Sequence, residues 1–143
     1  MVRELLASQG LAVLATQGGG QPHASLVAFA AMDDLSCLVF ATERDTRKFA
    51  YLAADPRVAM LVDDRSHRAT DLVEAAAITA TGPAHEAQGE ERERLAGLLL
   101  AKHPALKPFL ATPGGALIAV AVERYQVVTC FQSVAEFRPA AQT

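Results

Sequence analysis

Cysteine is scarce: Cys37 and Cys130 are the only two in 143 residues. They lie far apart in apolar stretches and neither has a CxxC partner, so buried free thiols are expected rather than a disulfide or a redox pair. Histidine is nearly as sparse. His23, His67, His85 and His103 show no HxxxH or HxxH spacing and no adjacent cysteine, so no metal site is expected. A basic excess is missing too. Thirteen Lys and Arg against 16 Asp and Glu leave a net charge of −3, which gives no general field for gathering nucleic acid. No stretch is acidic or polar enough to read as a disordered tail. Long apolar runs are absent as well. Nothing approaches a membrane span, and Glu4 and Ser8-Gln9-Gly10 interrupt any signal-peptide core. The expectation is a protein that stays in the reducing cytoplasm and engages neither membrane nor nucleic acid.

What is present is ordinary for a soluble domain: 51% apolar and 20% charged residues, in a length that suits one core, so residues 1–143 are read as a single domain. Residues 2–9 have the spacing of a short amphipathic helix, stopped by Gly10 at the C′ position. Residues 11–16, 22–31 and 35–41 are short apolar runs joined by Gln17-Gly18-Gly19-Gly20-Gln21 and Met32-Asp33-Asp34, which predicts an antiparallel meander. These runs are nearly continuously apolar. That pattern suits strands covered on both faces, as in a closed barrel with helices or a partner subunit outside.

Residues 45–55 predict a helix with Asp45 as N-cap, Phe49, Leu52 and Ala53 on one face, and Pro56 at its end. A strand over 57–63 and a polar loop over 64–73 follow. Residues 74–87 read as a strand, with a bulge or edge position at Gly82-Pro83. A second long helix is predicted over 90–103, then a loop marked by Pro104, Pro108 and Pro113-Gly114-Gly115. A last long strand covers 116–128, and the tail from Arg138 is expected to fray. No internal repeat is visible. About six strands and three helices, with strands pairing locally, define an α+β barrel class.

One segment carries chemistry: Leu38-Val39-Phe40-Ala41-Thr42-Glu43-Arg44-Asp45-Thr46-Arg47-Lys48. It leaves a strand, turns, and opens a helix with a hydroxyl and two cations in the first turn. Cations there oppose the helix dipole, each at a cost of some tenths of a kcal/mol unless an anion offsets it. Free N–H groups, the Thr42 and Thr46 hydroxyls, and the Arg47 and Lys48 heads would together suit a phosphate monoester. The guanidinium grips two oxygens and the ammonium supplies a point charge. A solvated helix start, with Arg47 and Lys48 leaning on Glu43 and Asp45, accounts for the same spacing. From the residues alone this is a candidate phosphate site and no more.

The run Phe40-Ala41-Thr42, Asp45-Thr46-Arg47-Lys48, Leu52 and Asp55-Pro56-Arg57-Val58 resembles the signature of the pyridoxamine-phosphate-oxidase-like FMN proteins. Upstream, Gly20-Gln21-Pro22-His23-Ala24-Ser25-Leu26-Val27 is similar to the strand pair of that family that runs along the flavin. Within the group, Leu61-Val62-Asp63-Asp64-Arg65-Ser66 and Phe131-Gln132-Ser133-Val134 look closest to the haem-utilisation-type members. The resemblance implies an antiparallel split β-barrel with flanking helices and FMN as cofactor. It implies that Arg47 and Lys48 hold the FMN phosphate, that Thr42 and Thr46 add hydroxyl contacts, and that Ala41 lies beside them. Ser25, Leu26 and Val27 would border the isoalloxazine and ribityl chain. It also implies a homodimer with the flavin at the interface, Arg65 and Ser66 being candidates for the part of each site that the partner supplies. His23 is a candidate for the flavin edge; Phe49 and Tyr51 are read as core.

Tryptophan is absent, and this matters once the resemblance is drawn. The true oxidases carry a C-terminal tryptophan and an Arg-x-His pair, for which the tail Glu136-Phe137-Arg138-Pro139 has no counterpart. The haem-degrading relatives carry a C-terminal extension that does not follow here. The resemblance therefore implies a flavin-dependent oxidoreductase of unknown small-molecule substrate that is not a pyridoxamine-phosphate oxidase. The alternative is a non-catalytic flavin or haem carrier.

Overall fold

The apolar runs become strands that close on one another. The computed structural model describes residues 1–130 and 133–140. The described elements begin with α1 (Val2–Ser8), β1 (Leu11–Gly18), β2 (Gln21–Ala31), β3 (Cys37–Glu43), α2 (Arg47–Ala54) and β4 (Arg57–Asp63). They continue with α3 (Asp71–Glu74), β5 (Ala77–Glu86), α4 (Gly89–Lys102), a 3₁₀ turn at Pro104–Leu106, α5 (Lys107–Leu110), β6 (Gly115–Ala121), β7 (Arg124–Thr129) and β8 (Ser133–Phe137). Neighbours run β4-β1-β2-β3-β6-β5, and β5 returns to β4, so six antiparallel strands form a closed barrel. The remaining two, β7 and β8, extend from β5 as an added hairpin. The fold is α+β, as expected.

Alternation along the strands builds the core. Leu14, Phe29, Phe40, Met60, Ile78 and Tyr125 point inward and are fully buried. Each large apolar side chain so placed contributes roughly 1.5–3 kcal/mol. A second apolar layer explains the continuous runs. Ala30, Val39, Leu117 and Ala119 face outward from β2, β3 and β6 and pack under Leu95 and Leu99 of α4 and Leu110 of α5. Among the described residues nothing covers the outer face of β1, β4 and the first part of β2 in this way: Leu26 is 62% exposed, Leu11 54% and Leu61 36%.

Helices close the barrel's two ends. Leu5 and Leu6 of α1 enter the core at one end, and Leu52 of α2 with the partly buried Phe49 at the other. The first helix does not end on a left-handed Gly10. Its C-cap Gln9 is extended, and Lys102 Nζ donates to Leu6 O (2.8 Å) and Gln9 O (2.6 Å), answering the carbonyls that a glycine cap would have answered through the backbone.

Three further expectations are corrected. The long strand over 116–128 is two strands: Val122 N donates to Ser36 O and Glu123 N to Thr81 O, and there the chain crosses from β3 to β5. Gly82-Pro83 is neither a bulge nor an edge. Strand β5 runs through it paired to β4, while its other side changes neighbour from β7 to β6. A Cβ on Gly82 would collide with Ala121 O, so the crossing needs glycine. Finally, two short helices, α3 and α5, occupy segments read as loop.

Both cysteines are free, but only Cys37 is even partly buried, its thiol pushed up to about 11 by desolvation; Cys130 is exposed. Of the Phe131-Gln132-Ser133-Val134 ending, the first two lie outside the described residues and the last two open β8. Residues 138–140 carry no regular structure. Among the described residues, no helix is long and apolar enough to cross a membrane.

Candidate functional site

The barrel is split on one side. Strand β2 pairs with β1 from Gln21 to Ala28, but with β3 only through Phe29↔Phe40, Ala30↔Val39 and Ala31↔Leu38. Past Phe40, β3 pairs with β6 alone, through Ala41↔Leu117, Thr42↔Ala116 and Glu43↔Gly115. Below Phe29 and Phe40 the two strands part. Ser25, Leu26 and Val27 stand on one lip of the gap, and Ala41 and Thr42 on the other.

The second helix bridges this gap. It starts where β3 ends, and its Tyr51 ring reaches the β1–β2 hairpin. A Cβ on Gly18 would collide with that ring, and His23 meets it edge-on with centroids 5.7 Å apart. Tyr51 is therefore half-buried against the hairpin, while Phe49 packs on the barrel core.

The turn between β3 and α2 is shaped by threonine, not by Asp45. Thr46 is the N-cap: its Oγ1 accepts from Phe49 N (3.2 Å), donates to Glu43 O (2.8 Å) and lies 3.5 Å from Thr42 Oγ1. The Glu43 carbonyl holds the hydroxyl in capping position, whereas Asp45 stays exposed. Thr42 is 3% exposed. The Thr46 proton is thus committed to Glu43, so this hydroxyl serves the cap and has no proton left to donate to a ligand.

Arg47 and Lys48 follow as the first two helical residues, in a first turn without an acidic side chain. Among the described residues neither has a hydrogen-bonding or ion-pair partner, so the expected lean on Glu43 or Asp45 is not formed. Their backbone N–H groups also precede any intrahelical acceptor. Two cationic heads and two amides are therefore free at one place. On β2, Ser25 Oγ and His23 Nδ1 are closed off from solvent and have no hydrogen-bond partner among the described residues. Such groups are expected to find one, in a ligand or an ordered water.

The other predicted residues are distributed differently. Val27 is 4% exposed and points into the barrel, so its backbone alone borders the gap. Leu26 points outward, where it lines a groove of about 350 Å³ with Leu11, Val13, Leu61 and Arg65. Arg65 and Ser66 sit beyond the far end of β4, at the opposite end of the barrel from Thr42, Thr46, Arg47 and Lys48. Arg65 donates to both oxygens of Asp63 (2.6 and 2.9 Å), and Ser66 Oγ donates to Asp71 Oδ1 (2.6 Å). The Ser66 hydroxyl and the neighbouring amides hold the Asp71 carboxyl down at about 2. One chain therefore gathers Ala41, Thr42, Thr46, Arg47 and Lys48 at the β3–α2 turn, with Ser25 on the strand across the gap, and leaves Arg65 and Ser66 elsewhere.

Sequence reasoning passed over Arg44, which the structure ties into this turn. Its partner Glu86 lies 42 residues away, and no local spacing signals such a pair.

Residues 1–128 match the family described as pyridoxamine 5′-phosphate oxidase. No curated protein sequence matches the chain. Among solved structures, a heme binding protein from Mycobacterium smegmatis is similar at TM-score 0.85 and 23% identity, over 95% of this chain and 55% of that one. The chain thus spans little more than half the length of that protein. A FAD-binding protein from Mesorhizobium loti is similar at TM-score 0.71 and 16% identity, over 87% of each chain. A putative pyridoxamine 5′-phosphate oxidase from Listeria innocua is similar at TM-score 0.68 and 18% identity, over 89% of this chain and 94% of that one. At these identities the likeness is one of fold.

Proposed function

The chain belongs to the pyridoxamine 5′-phosphate oxidase family, and on that premise we propose that it binds FMN in the β2–β3 gap and serves as a flavin-dependent oxidoreductase of a small molecule. The observation that carries this is the pair Arg47 and Lys48, free of partners among the described residues at a helix start that has no acidic residue. A phosphate monoester placed there answers both cations and the two free amides, and it removes the dipole penalty that the cations impose.

The rest of the cofactor would lie along the gap. Its lips, Ser25–Val27 and Ala41–Thr42, have no strand ladder between them, so their backbone groups face it. In this arrangement Arg47 and Lys48 bind and orient the phosphate, Thr46 holds the turn, and α2 shields one end of the gap from water. Bound flavin supplies the electron transfer, and the protein supplies binding and electrostatics. The chain works as a homodimer. The uncovered face around Leu11, Leu26 and Leu61 is the apolar surface that a second copy would bury. The partner's loop after β4 then completes the site with its Arg65 and Ser66.

The substrate proposed is a small molecule other than pyridoxamine phosphate, since residues 1–143 hold no tryptophan and their tail offers no Arg-x-His pair for it. A second reading, a flavin or haem carrier without turnover, draws on the likeness to the heme binding protein. The visible spectrum of the purified protein decides. Oxidised-flavin bands that bleach with NAD(P)H support the oxidoreductase. Flavin bands that never bleach support a carrier. A Soret band on haem addition without flavin retention overturns the FMN assignment.

A further inference from the structure

Three cations crowd the β3–α2 turn, and they are not equivalent. Arg47 and Lys48 are free, whereas Arg44 is fastened from four sides. Its backbone N donates to Gly114 O (2.9 Å), its Nε to Pro113 O (3.0 Å), and its Nη1 to Glu86 Oε2 (2.6 Å). The guanidinium also lies 6.0 Å from the centre of the Phe49 ring on α2. The loop that Arg44 grips is held from its other side: Arg92 of α4 donates through Nη2 to Leu110 O (2.8 Å) and Gly115 O (3.2 Å). Loop and turn also touch directly, with the Glu43 carboxylate lying against Gly114.

We propose that Arg44 is a positioning residue for the phosphate turn, which keeps Arg47 and Lys48 at the gap by locking the turn to the 113–115 loop and to Glu86. Its own charge is answered by Glu86, so it does not touch the phosphate. The inference rests on the FMN reading, and its test separates the two.

Dissociation constants for FMN and for riboflavin are measured by flavin fluorescence on the native protein, Arg44→Ala, Arg44→Lys and Glu86→Gln, each with a melting curve. Native protein that binds FMN no better than riboflavin overturns the phosphate site itself. Given native discrimination, Arg44→Ala is expected to weaken FMN about 5- to 10-fold and to leave riboflavin within about 2-fold. Lysine at 44 should recover part of the loss, because it reaches Glu86 but not Pro113 O at the same time.

Glu86→Gln is the decisive arm and keeps the size and shape of the side chain. Positioning through Glu86 predicts weaker FMN binding in this variant, by about 2- to 5-fold. Direct contact of Arg44 with the phosphate predicts FMN binding that is unchanged or tighter, because a competing anion has been removed, and that result overturns the proposal. Unchanged FMN affinity in both variants, or equal loss for FMN and riboflavin, overturns it as well. If Arg44→Ala fails to fold, Glu86→Gln alone separates positioning from direct contact.

Discussion

In the loop after β4, Asp63, Asp64, Arg65 and Asp71 all have partners. Arg65 chelates Asp63, Asp64 Oδ1 accepts from Ala76 N, and Asp71 accepts from Ser66 Oγ and from the backbone amides of Ser66, His67 and Arg68. In the turn after β3, two cations side by side have none among the described residues. Both segments are short, polar and follow a barrel strand. The first answers its carboxylates and Arg65 within its own chain, and the Arg68 guanidinium is left without a partner among the described residues. The second leaves cations and amides together at a dipole's positive end, an arrangement that gains only when an external anion arrives. Saturation, rather than charge density, separates the segment poised for an external anion from the one whose carboxylates are answered within the chain.

The strongest way to break this comparison is to remove both free cations. Replacing Arg47 and Lys48 together with Ala should weaken FMN binding by about 100-fold or more, since each charge-assisted contact is worth roughly 1.5–3 kcal/mol. Lys48→Ala alone should cost about 10- to 100-fold. Riboflavin binding and the melting temperature should barely move, because a cation in a first helical turn gives the empty helix no dipole stabilisation. Fluorescence titration with both ligands reads the result. Unchanged FMN affinity would return both residues to the solvated surface.

A charge on the uncovered face sharpens the comparison by separating the two segments in space. Leu26→Asp places a carboxylate on the apolar surface shared by Leu11, Val13 and Leu61. Light scattering should show the native dimer mass falling to the monomer's, with FMN affinity down about 10-fold as the partner's share of the site is lost. A native protein that is already monomeric at micromolar concentration removes the dimer from the account. Arg65→Ala tests the same share more gently. Its charge is already answered by Asp63, so the expected loss of FMN affinity is only about 3-fold.

Much of this contrast was legible in the residues, though unevenly. The continuous run Leu38-Val39-Phe40 announced a strand covered on both faces, and α4 over Val39 is the reason. The split barrel was readable from the family pattern of the turn, which also singled out Arg47 and Lys48, but whether they leaned on Glu43 and Asp45 was open in the residues alone. The cap was not. Asp45 and Thr46 are both good N-caps, and only the Glu43 carbonyl, placed by the end of β3, selects the threonine. The crossing at Val122-Glu123 was hidden because β6 and β7 are both rich in strand-forming residues and only two residues separate them. Gly82 looked like a weak point, but its cause is a backbone carbonyl 39 residues further on. Helix α3 is too short to leave a periodic signal. Partners distant in sequence, Arg44 with Glu86 above all, leave no local trace.

The smallest effect expected is also the most selective, and it comes from pH. A phosphate monoester has its second pKa near about 6, so FMN should carry close to two charges at pH 7.5 and about one at pH 5. If Arg47 and Lys48 answer that phosphate, FMN affinity should fall about 2- to 5-fold across this interval, following the ligand's own titration. Riboflavin has no phosphate and should show a flat profile; a matching fall for riboflavin would mean that the phosphate is not responsible. The saturated loop should be silent throughout. Its Asp71 carboxyl is depressed from 3.8 to about 2 by the Ser66 hydroxyl and the amides around it. A depressed acid stabilises the fold above its unfolded value and loses that contribution only as pH drops through the folded one. Amide exchange at Ser66, His67 and Arg68 should therefore keep its protection, corrected for intrinsic rate, from pH 7 to pH 4, and lose it below. Loosening of those amides already at pH 5 would show that the loop is not the closed structure its hydrogen bonds describe, and the contrast between the two segments would lose its fixed side.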